Sequence, residues 1–78
     1  MEKQTLIEFG KHIRDMRKKA NLSQEDLALS AGLDRSYIGG IERGERNVSL
    51  LNLKKLAIAL GITMSELLNY ELDSEGKC

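Results

Sequence analysis

The sequence predicts an all-α protein of five short helices packed around one core. Three observations lead to this fold class. The chain has no proline and is dominated by Leu, Ile, Ala, Glu and Lys, most of which favour helices. Apolar residues recur at the three- and four-residue spacing of a helix face. Capping residues and glycines mark the ends of each apolar segment.

Length and composition limit the function classes. At 78 residues the chain forms a single domain, expected over residues 1–72, with a polar and disordered tail at 73–78. His12 and Cys78 are the only soft metal ligands, so we expect no metal, no cofactor and no internal disulfide. No catalytic constellation occurs, and we expect no enzyme. Without a membrane span or a secretory signal, the expected location is the cytoplasm.

The first helix is expected from about Thr5 to Lys19, ending near Asn21. Thr5 and Glu8 have the spacing of a capping box, in which each side chain satisfies the other residue's exposed backbone N–H. His12 is expected on the helix surface. One apolar face follows at helical spacing: Leu6, Phe9, Ile13, Met16 and Ala20.

Two short helices separated by a brief break are expected next. Ser23 and Asp26 form a second candidate capping box, and Gly32 can adopt the left-handed conformation that ends a helix. Asp34 is a good N-cap for the following helix, which Gly44 ends. The apolar positions of the two helices are Leu27, Ala28, Ala31, Ile38 and Ile41.

The last two helices are also bounded by caps. Ser49 can cap a fourth helix that Gly61 ends, and Thr63 with Glu66 forms a third candidate capping box. The apolar face of the fourth helix comprises Leu50, Leu53, Leu56, Ala57 and Leu60. The fifth helix contributes Met64, Leu67 and Leu68.

The segment at about residues 23–43 carries the functional prediction. A helix, a short turn containing glycine and a second helix form the outline of a helix-turn-helix. In that motif the N-terminal residues of the second helix face base edges in the DNA major groove, where Arg pairs with guanine. The candidate base contacts, which the core does not need, are Arg35, Ser36 and Tyr37.

Phosphate contacts are expected on either side of this second helix. Gln24 lies at a helix N-terminus, where backbone N–H groups suit a phosphate, and a polar loop follows Gly44. Such contacts set register and carry no sequence information themselves. The candidate DNA backbone or minor contacts are Ser23, Gln24, Arg43, Arg46, Asn47 and Ser49.

The stretch SQEDLALSAGLDRSYIGGIERGERNVSLLNLKKLAIAL resembles the Cro/cI-type, lambda-repressor-like (XRE) helix-turn-helix family. The similarity covers roughly residues 12–68, and LDRSYIGGIERGERNVSL is especially similar to the controller proteins of restriction–modification systems. The resemblance implies a bacterial or phage regulator that acts on double-stranded DNA in the nucleoid, with RNA polymerase as a candidate partner. It also implies a partly buried salt bridge between Arg17 and Glu42.

Surplus apolar surface predicts a homodimer built from the fourth and fifth helices, in agreement with the resemblance. Two such copies would place their second helices one DNA turn apart, about 34 Å, on a palindromic operator. The expected interface comprises Leu51, Ile58, Met64, Leu67, Leu68 and Tyr70.

Other interpretations stay open. The 12 basic residues are balanced by 12 acidic residues, so any phosphate-binding surface must be local. A protein-interaction module without DNA binding and a phage or chromosomal repressor of the same fold are the alternatives. Gly39 and Gly40 cost a helix roughly 1 kcal/mol each relative to alanine. Close approach to DNA or to the preceding helix would justify them.

Overall fold

Five α-helices account for most of the chain in a computed structural model that describes residues 2–70. They are α1 Glu2–Lys19, α2 Gln24–Ala31, α3 Arg35–Glu42, α4 Leu50–Leu60 and α5 Met64–Leu67. No strand occurs among these described residues, and the predicted all-α class is confirmed. The predicted tail at 73–78 lies outside them, and the domain end at residue 72 stays a prediction.

The start of α1 differs from the prediction. Thr5 and Glu8 lie inside the helix, which begins at Glu2, so the predicted capping box is wrong. The residues before Thr5 are good helix formers that extend the helix by about one turn. Gln4 Nε2 donates a hydrogen bond to the Glu8 carboxylate at 3.2 Å, as expected for residues one helical turn apart.

The other capping boxes form as predicted. The Ser23 hydroxyl accepts a hydrogen bond from the backbone N–H of Asp26 at 3.0 Å, and the Asp26 carboxylate accepts one from the Ser23 N–H at 3.1 Å. The same reciprocal pair joins Thr63 and Glu66 at the start of α5. These contacts satisfy backbone donors that have no partner within the helix.

The predicted glycine C-caps are present, whereas one predicted N-cap makes no hydrogen bond. Gly32 and Gly61 end α2 and α4 at φ values of 70° and 71°, which glycine adopts without a steric penalty because it has no Cβ. Asn21, at φ 63°, follows α1 in the same left-handed conformation. Asp34 occupies the N-cap position of α3, but its side chain makes no capping hydrogen bond.

The core lies where the helices pack, with α1 on α3, α2 on α3 and α4, and α4 on α5. A side chain at Gly10 would overlap the carbonyl oxygen of Ile41 and lie 2.8 Å from that of Glu42, so the α1 backbone approaches α3 closely here. The buried apolar residues are Phe9, Ile13, Leu27, Ala28, Ala31, Ile38, Ile41, Leu56, Ala57 and Leu67.

Three residues face differently from the prediction. Leu67, expected in the dimer interface, is fully buried in the core because the short α5 packs this side chain onto its own subunit. Leu50, expected in the core, is 69% exposed. His12, expected on the surface, has a buried Nε2 atom without a hydrogen-bond partner and stacks on Tyr70 with ring centroids 4.8 Å apart.

Candidate nucleic-acid interface

The helix-turn-helix is formed by α2, the turn at Gly32 and α3. Ile38 and Ile41 are buried on the inner side of α3, so the opposite side of its first turn faces solvent. Arg35 and Ser36 lie there and are exposed, as expected for base contacts. They lie at the N-terminus of α3, which is the second or recognition helix of the motif. This is the position from which the motif contacts base edges.

Tyr37 was predicted to contact DNA and not the core, but its ring is partly buried and packs against the core. Its hydroxyl accepts a hydrogen bond from Asn52 Nδ2 at 3.1 Å, which joins α3 to α4. Because a phenol can also donate one hydrogen bond, Tyr37 keeps a donor for a phosphate while it fixes the recognition helix.

Arg46 lies above Tyr37, which the sequence did not reveal. Its guanidinium carbon is 5.7 Å from the centroid of the Tyr37 ring, within the range of a cation–π interaction. The exposed loop residue Arg46 therefore lies beside the first turn of α3. Asn47, which is also exposed, lies next to residues of α1, including Thr5 and Leu6. Two candidate DNA contacts, Tyr37 on α3 and Arg46 in the loop, are thus brought together.

The salt bridge that the family resemblance implied is present and links α1 to α3. Arg17 Nε lies 2.6 Å from Glu42 Oε2, and Arg17 Nη2 donates to Glu42 Oε1 at 3.1 Å. The side chains are 11% and 4% exposed. Arg17 Nη1 also donates to the carbonyl of Leu22 at 2.8 Å. The bidentate pair thus fixes α3 against α1 and against the segment that leads into α2.

Gln24 extends this network. Its Nε2 donates to Glu42 Oε1 at 3.0 Å, a contact that sequence reasoning missed because the two residues are 18 positions apart. The side chain of Gln24 is therefore oriented by α3 at the N-terminus of α2. One amide N–H of Gln24 and the backbone N–H groups of Gln24 and Glu25 are the groups left for a phosphate, since the N–H of Asp26 is bound by Ser23.

Arg43 forms an exposed salt bridge with Glu45. Its Nη2 lies 3.1 Å from Glu45 Oε1, with both side chains mostly exposed. The hydrogen bond and the charge of Glu45 raise the pKa of Arg43, and Arg43 lowers the pKa of Glu45. Exposed pairs contribute little stability, so Arg43 can exchange Glu45 for a phosphate at small cost.

Comparison with known proteins identifies the family. The helix-turn-helix family model matches residues 13–67. The control protein C.MunI of Mycoplasma sp is 53% identical over 62 residues, which cover 78% of this chain and 84% of that protein.

Solved structures agree with that match. The restriction-modification controller protein C.AhdI from Aeromonas hydrophila superposes with a TM-score of 0.80 at 56% identity, covering 82% of this chain and 97% of that one. The biofilm master regulator SinR in complex with DNA gives 0.73 at 34% identity, covering 78% and 98%.

The chain belongs to the helix-turn-helix family of transcription regulators. This is a family of DNA-binding regulators and not of enzymes. Among the described residues of this helix-turn-helix protein, no helix is long and apolar enough to cross a membrane. The same residues contain no cluster of metal-ligating side chains.

The two serines predicted to contact the DNA backbone, Ser23 and Ser49, both serve as helix caps. The Ser23 hydroxyl accepts from Asp26 N–H, and the Ser49 hydroxyl accepts from Asn52 N–H at 3.2 Å. Each hydroxyl proton can still donate to a phosphate oxygen. Both serines are exposed at the N-termini of α2 and α4 of this helix-turn-helix protein.

Part of the predicted dimer surface forms an exposed apolar face on α4. Leu51 and Ile58 are 72% and 68% exposed and lie two helical turns apart on one side of α4. Leu68, which directly follows α5, is 47% exposed. Met64 and Tyr70 are partly buried against the core of their own subunit. Sequence reasoning did not single out the exposed Leu29 on α2.

Proposed function

We propose that this protein is a sequence-specific DNA-binding transcription regulator that acts as a homodimer and controls a restriction–modification system. The observation that carries the proposal is the exposed Arg35 at the start of a recognition helix whose other side is fixed in the core. Support for the controller role comes from the identity to C.MunI and from the C.AhdI fold.

The contacts divide into two kinds. Arg35 and Ser36 supply the base contacts, and a bidentate Arg–guanine pair contributes roughly 1–3 kcal/mol of discrimination. Phosphate contacts come from the N-terminus of α2 at Gln24 and from the loop with Arg46 and Asn47. Because the net charge is zero, this local group of donors must supply the electrostatic attraction to DNA.

The two-fold symmetry of the dimer determines the symmetry of the operator and the spacing of its half-sites. Two copies related by a two-fold axis present their recognition helices in opposite directions, so the target is a palindrome with half-sites about 34 Å apart. We propose that the concentration of the protein sets its occupancy of the operator. A dimer placed beside a promoter would contact RNA polymerase when it activates, and would exclude it when it represses.

The first test is selection of bound DNA from a random pool, followed by titration of the selected site at several salt concentrations. We expect a palindromic site whose affinity falls with salt, with a log–log slope of about 0.9 for each neutralised phosphate. Arg35→Ala should abolish the preference for this site, whereas Arg14→Ala, a change to an exposed arginine on α1, should leave it intact.

Two results would contradict the proposal at different levels. A folded protein that enriches no sequence at any salt concentration would be a protein-interaction module and not a DNA-binding regulator. A selected site that lies only beside genes unrelated to restriction and modification would leave the DNA-binding activity standing. It would replace the controller role by that of a phage or chromosomal repressor.

A further inference from the structure

The recognition helix contains two adjacent glycines, and arginine side chains from the end of α3 and the following loop lie over both. A methyl group on Gly40 would lie 3.0 Å from Cγ and 3.2 Å from Nε of Arg46. Outside the adjacent residues and the backbone of α3 itself, the three nearest atoms to that methyl group all belong to Arg46. The space made by the missing side chain of Gly40 is therefore filled by Arg46 and not by the packing of another helix.

The side chain nearest to Gly39 belongs to a different arginine, Arg43. A methyl group on Gly39 would lie 3.1 Å from Nη1 of Arg43, with Gln24 Oε1 of α2 next at 3.7 Å. Arg43 is in turn paired with Glu45. The two glycines thus have similar local structure but separate partners, which makes Gly39 a matched control for Gly40.

The Arg46 side chain contacts α3 at two places. Its aliphatic stem crosses α3 over Gly40, and its guanidinium carbon lies 5.7 Å from the centroid of the Tyr37 ring. The ring is itself held by the hydrogen bond from Asn52 on α4. A long, exposed loop arginine would otherwise sample many rotamers and lose them on binding a phosphate.

We propose that Gly40 is a positioning residue for DNA binding. Its lack of a side chain lets Arg46 lie across the recognition helix, with the guanidinium held over Tyr37 beside the base-contacting turn. Glycine is unfavourable inside a helix, and no atom of another helix lies as close to this position as the Arg46 side chain does. The inference rests on the proposed function, because a positioned Arg46 matters only if this surface meets DNA.

The test is a double-mutant cycle of Gly40→Ala and Arg46→Ala, measured on the selected operator across a series of salt concentrations. We expect Gly40→Ala to weaken binding and to lower the salt slope by about 0.9, the value for one lost phosphate contact. Arg46→Ala should do the same. In the Arg46→Ala background, Gly40→Ala should change neither quantity, because it acts only through Arg46.

Folding is controlled independently. Thermal melting of Gly40→Ala should be no lower than that of the unmodified protein, because alanine favours the helix and the new methyl group displaces only a flexible side chain. Gly39→Ala provides the same change in helix propensity. Its effect on DNA affinity, whatever its size, should be the same with and without the Arg46 side chain.

Three outcomes would overturn the proposal. Gly40→Ala that binds DNA as tightly as the unmodified protein would show that Arg46 needs no such placement. A loss that persists in the Arg46→Ala background would show that DNA itself requires the space at Gly40. Both results leave the DNA-binding function intact, whereas an unmodified protein that binds no DNA contradicts the positioning role and the proposed function together.

Discussion

Arg17 and Glu42 form an ion pair in which neither side chain is well hydrated. With exposures of 11% and 4%, each charge depends on the other and on the hydrogen bonds to Leu22 and Gln24. The attraction within such a pair is largely offset by the cost of removing both charges from water. The pair and its hydrogen bond from Gln24 matter for geometry, because together they hold α1 and α2 against α3.

Loss of one partner should therefore be costly. Arg17→Met keeps much of the side-chain volume but leaves the Glu42 carboxylate buried without a counter-charge. We expect the free energy of unfolding to fall by about 3 kcal/mol or more, as measured by urea denaturation. Arg43→Met breaks the exposed pair with Glu45 and should change little. Equal effects of the two variants would show that the Arg17 pair is not desolvated in solution.

Tyr70 makes a second residue-scale prediction, about alkaline pH. Burial, with a smaller effect from the negative charge of Glu8, raises the pKa of Tyr70 above its ordinary value of 10.0. The folded state therefore favours the neutral phenol. The contribution of Tyr70 to stability should be complete below pH 10.0 and lost as the pH rises through the higher folded pKa.

Tyrosinate absorbance can measure this directly. The chain has two tyrosines, so in Tyr37→Phe the remaining signal belongs to Tyr70. Its titration midpoint should be higher in the folded protein than in concentrated urea. Tyr70→Phe should also reduce the alkaline loss of stability. The Tyr70 ring lies 4.8 Å from that of His12 and 6.1 Å from that of Phe9, centroid to centroid. Identical midpoints in the folded and unfolded states would mean that this packing is absent in solution.

At the scale of the elements, the close approach of α1 to α3 depends on one glycine. Gly10→Ala would place a methyl group against the backbone carbonyls of Ile41 and Glu42, which cannot rotate away as a side chain can. We expect a destabilisation of about 1–3 kcal/mol, despite the better helix propensity of alanine. The urea midpoint should fall with an unchanged m-value.

A neighbouring substitution controls for effects on α1 alone. Lys11→Ala changes the next residue, which is exposed, and should leave the urea midpoint nearly unchanged. Gly10→Ala with normal stability would mean that α1 can shift away from α3 without loss. In that case the Arg17 pair, which spans the same helices, would also tolerate movement.

The elements that the sequence predicted correctly are those whose signals are local. The capping boxes at Ser23 and Thr63 involve residues three apart, and the stop at Gly32 depends on one residue's backbone. The same local pattern was misleading at Thr5, because threonine and glutamate at that spacing also occur within a helix. A cap is recognisable from sequence only when the residues before it cannot extend the helix.

Predictions that depended on tertiary contacts were less successful. The direction in which Leu67 faces depends on how a one-turn helix sits on α4, and a four-residue helix has too little periodicity to show this. Tyr37 was assigned to DNA alone because its partner Asn52 lies on another helix. In the candidate site, the exposure of Arg35 could be predicted, whereas the placement of Arg46 over Tyr37 could not.

For the whole molecule, charge and apolar surface point to the same mode of action. Equal numbers of acidic and basic residues give a single subunit little long-range attraction to DNA. A dimer doubles the number of phosphate and base contacts and makes the second half-site an intramolecular encounter. The exposed side chains of Leu50, Leu51 and Ile58 on α4 would otherwise be an aggregation hazard in a small regulator.

The dimer prediction is tested on the exposed face of α4. Ile58→Asp places a carboxylate in the proposed interface of each subunit, and two-fold symmetry brings both charges into the same contact. Sedimentation should change from dimer to monomer, and affinity for the palindromic site should fall to that of one half-site. Leu29→Asp, at a leucine on α2 that is 77% exposed, should keep the dimer. A dimer that survives both Ile58→Asp and Leu51→Asp would place the interface elsewhere, and the half-site spacing would then have to be derived from that other surface.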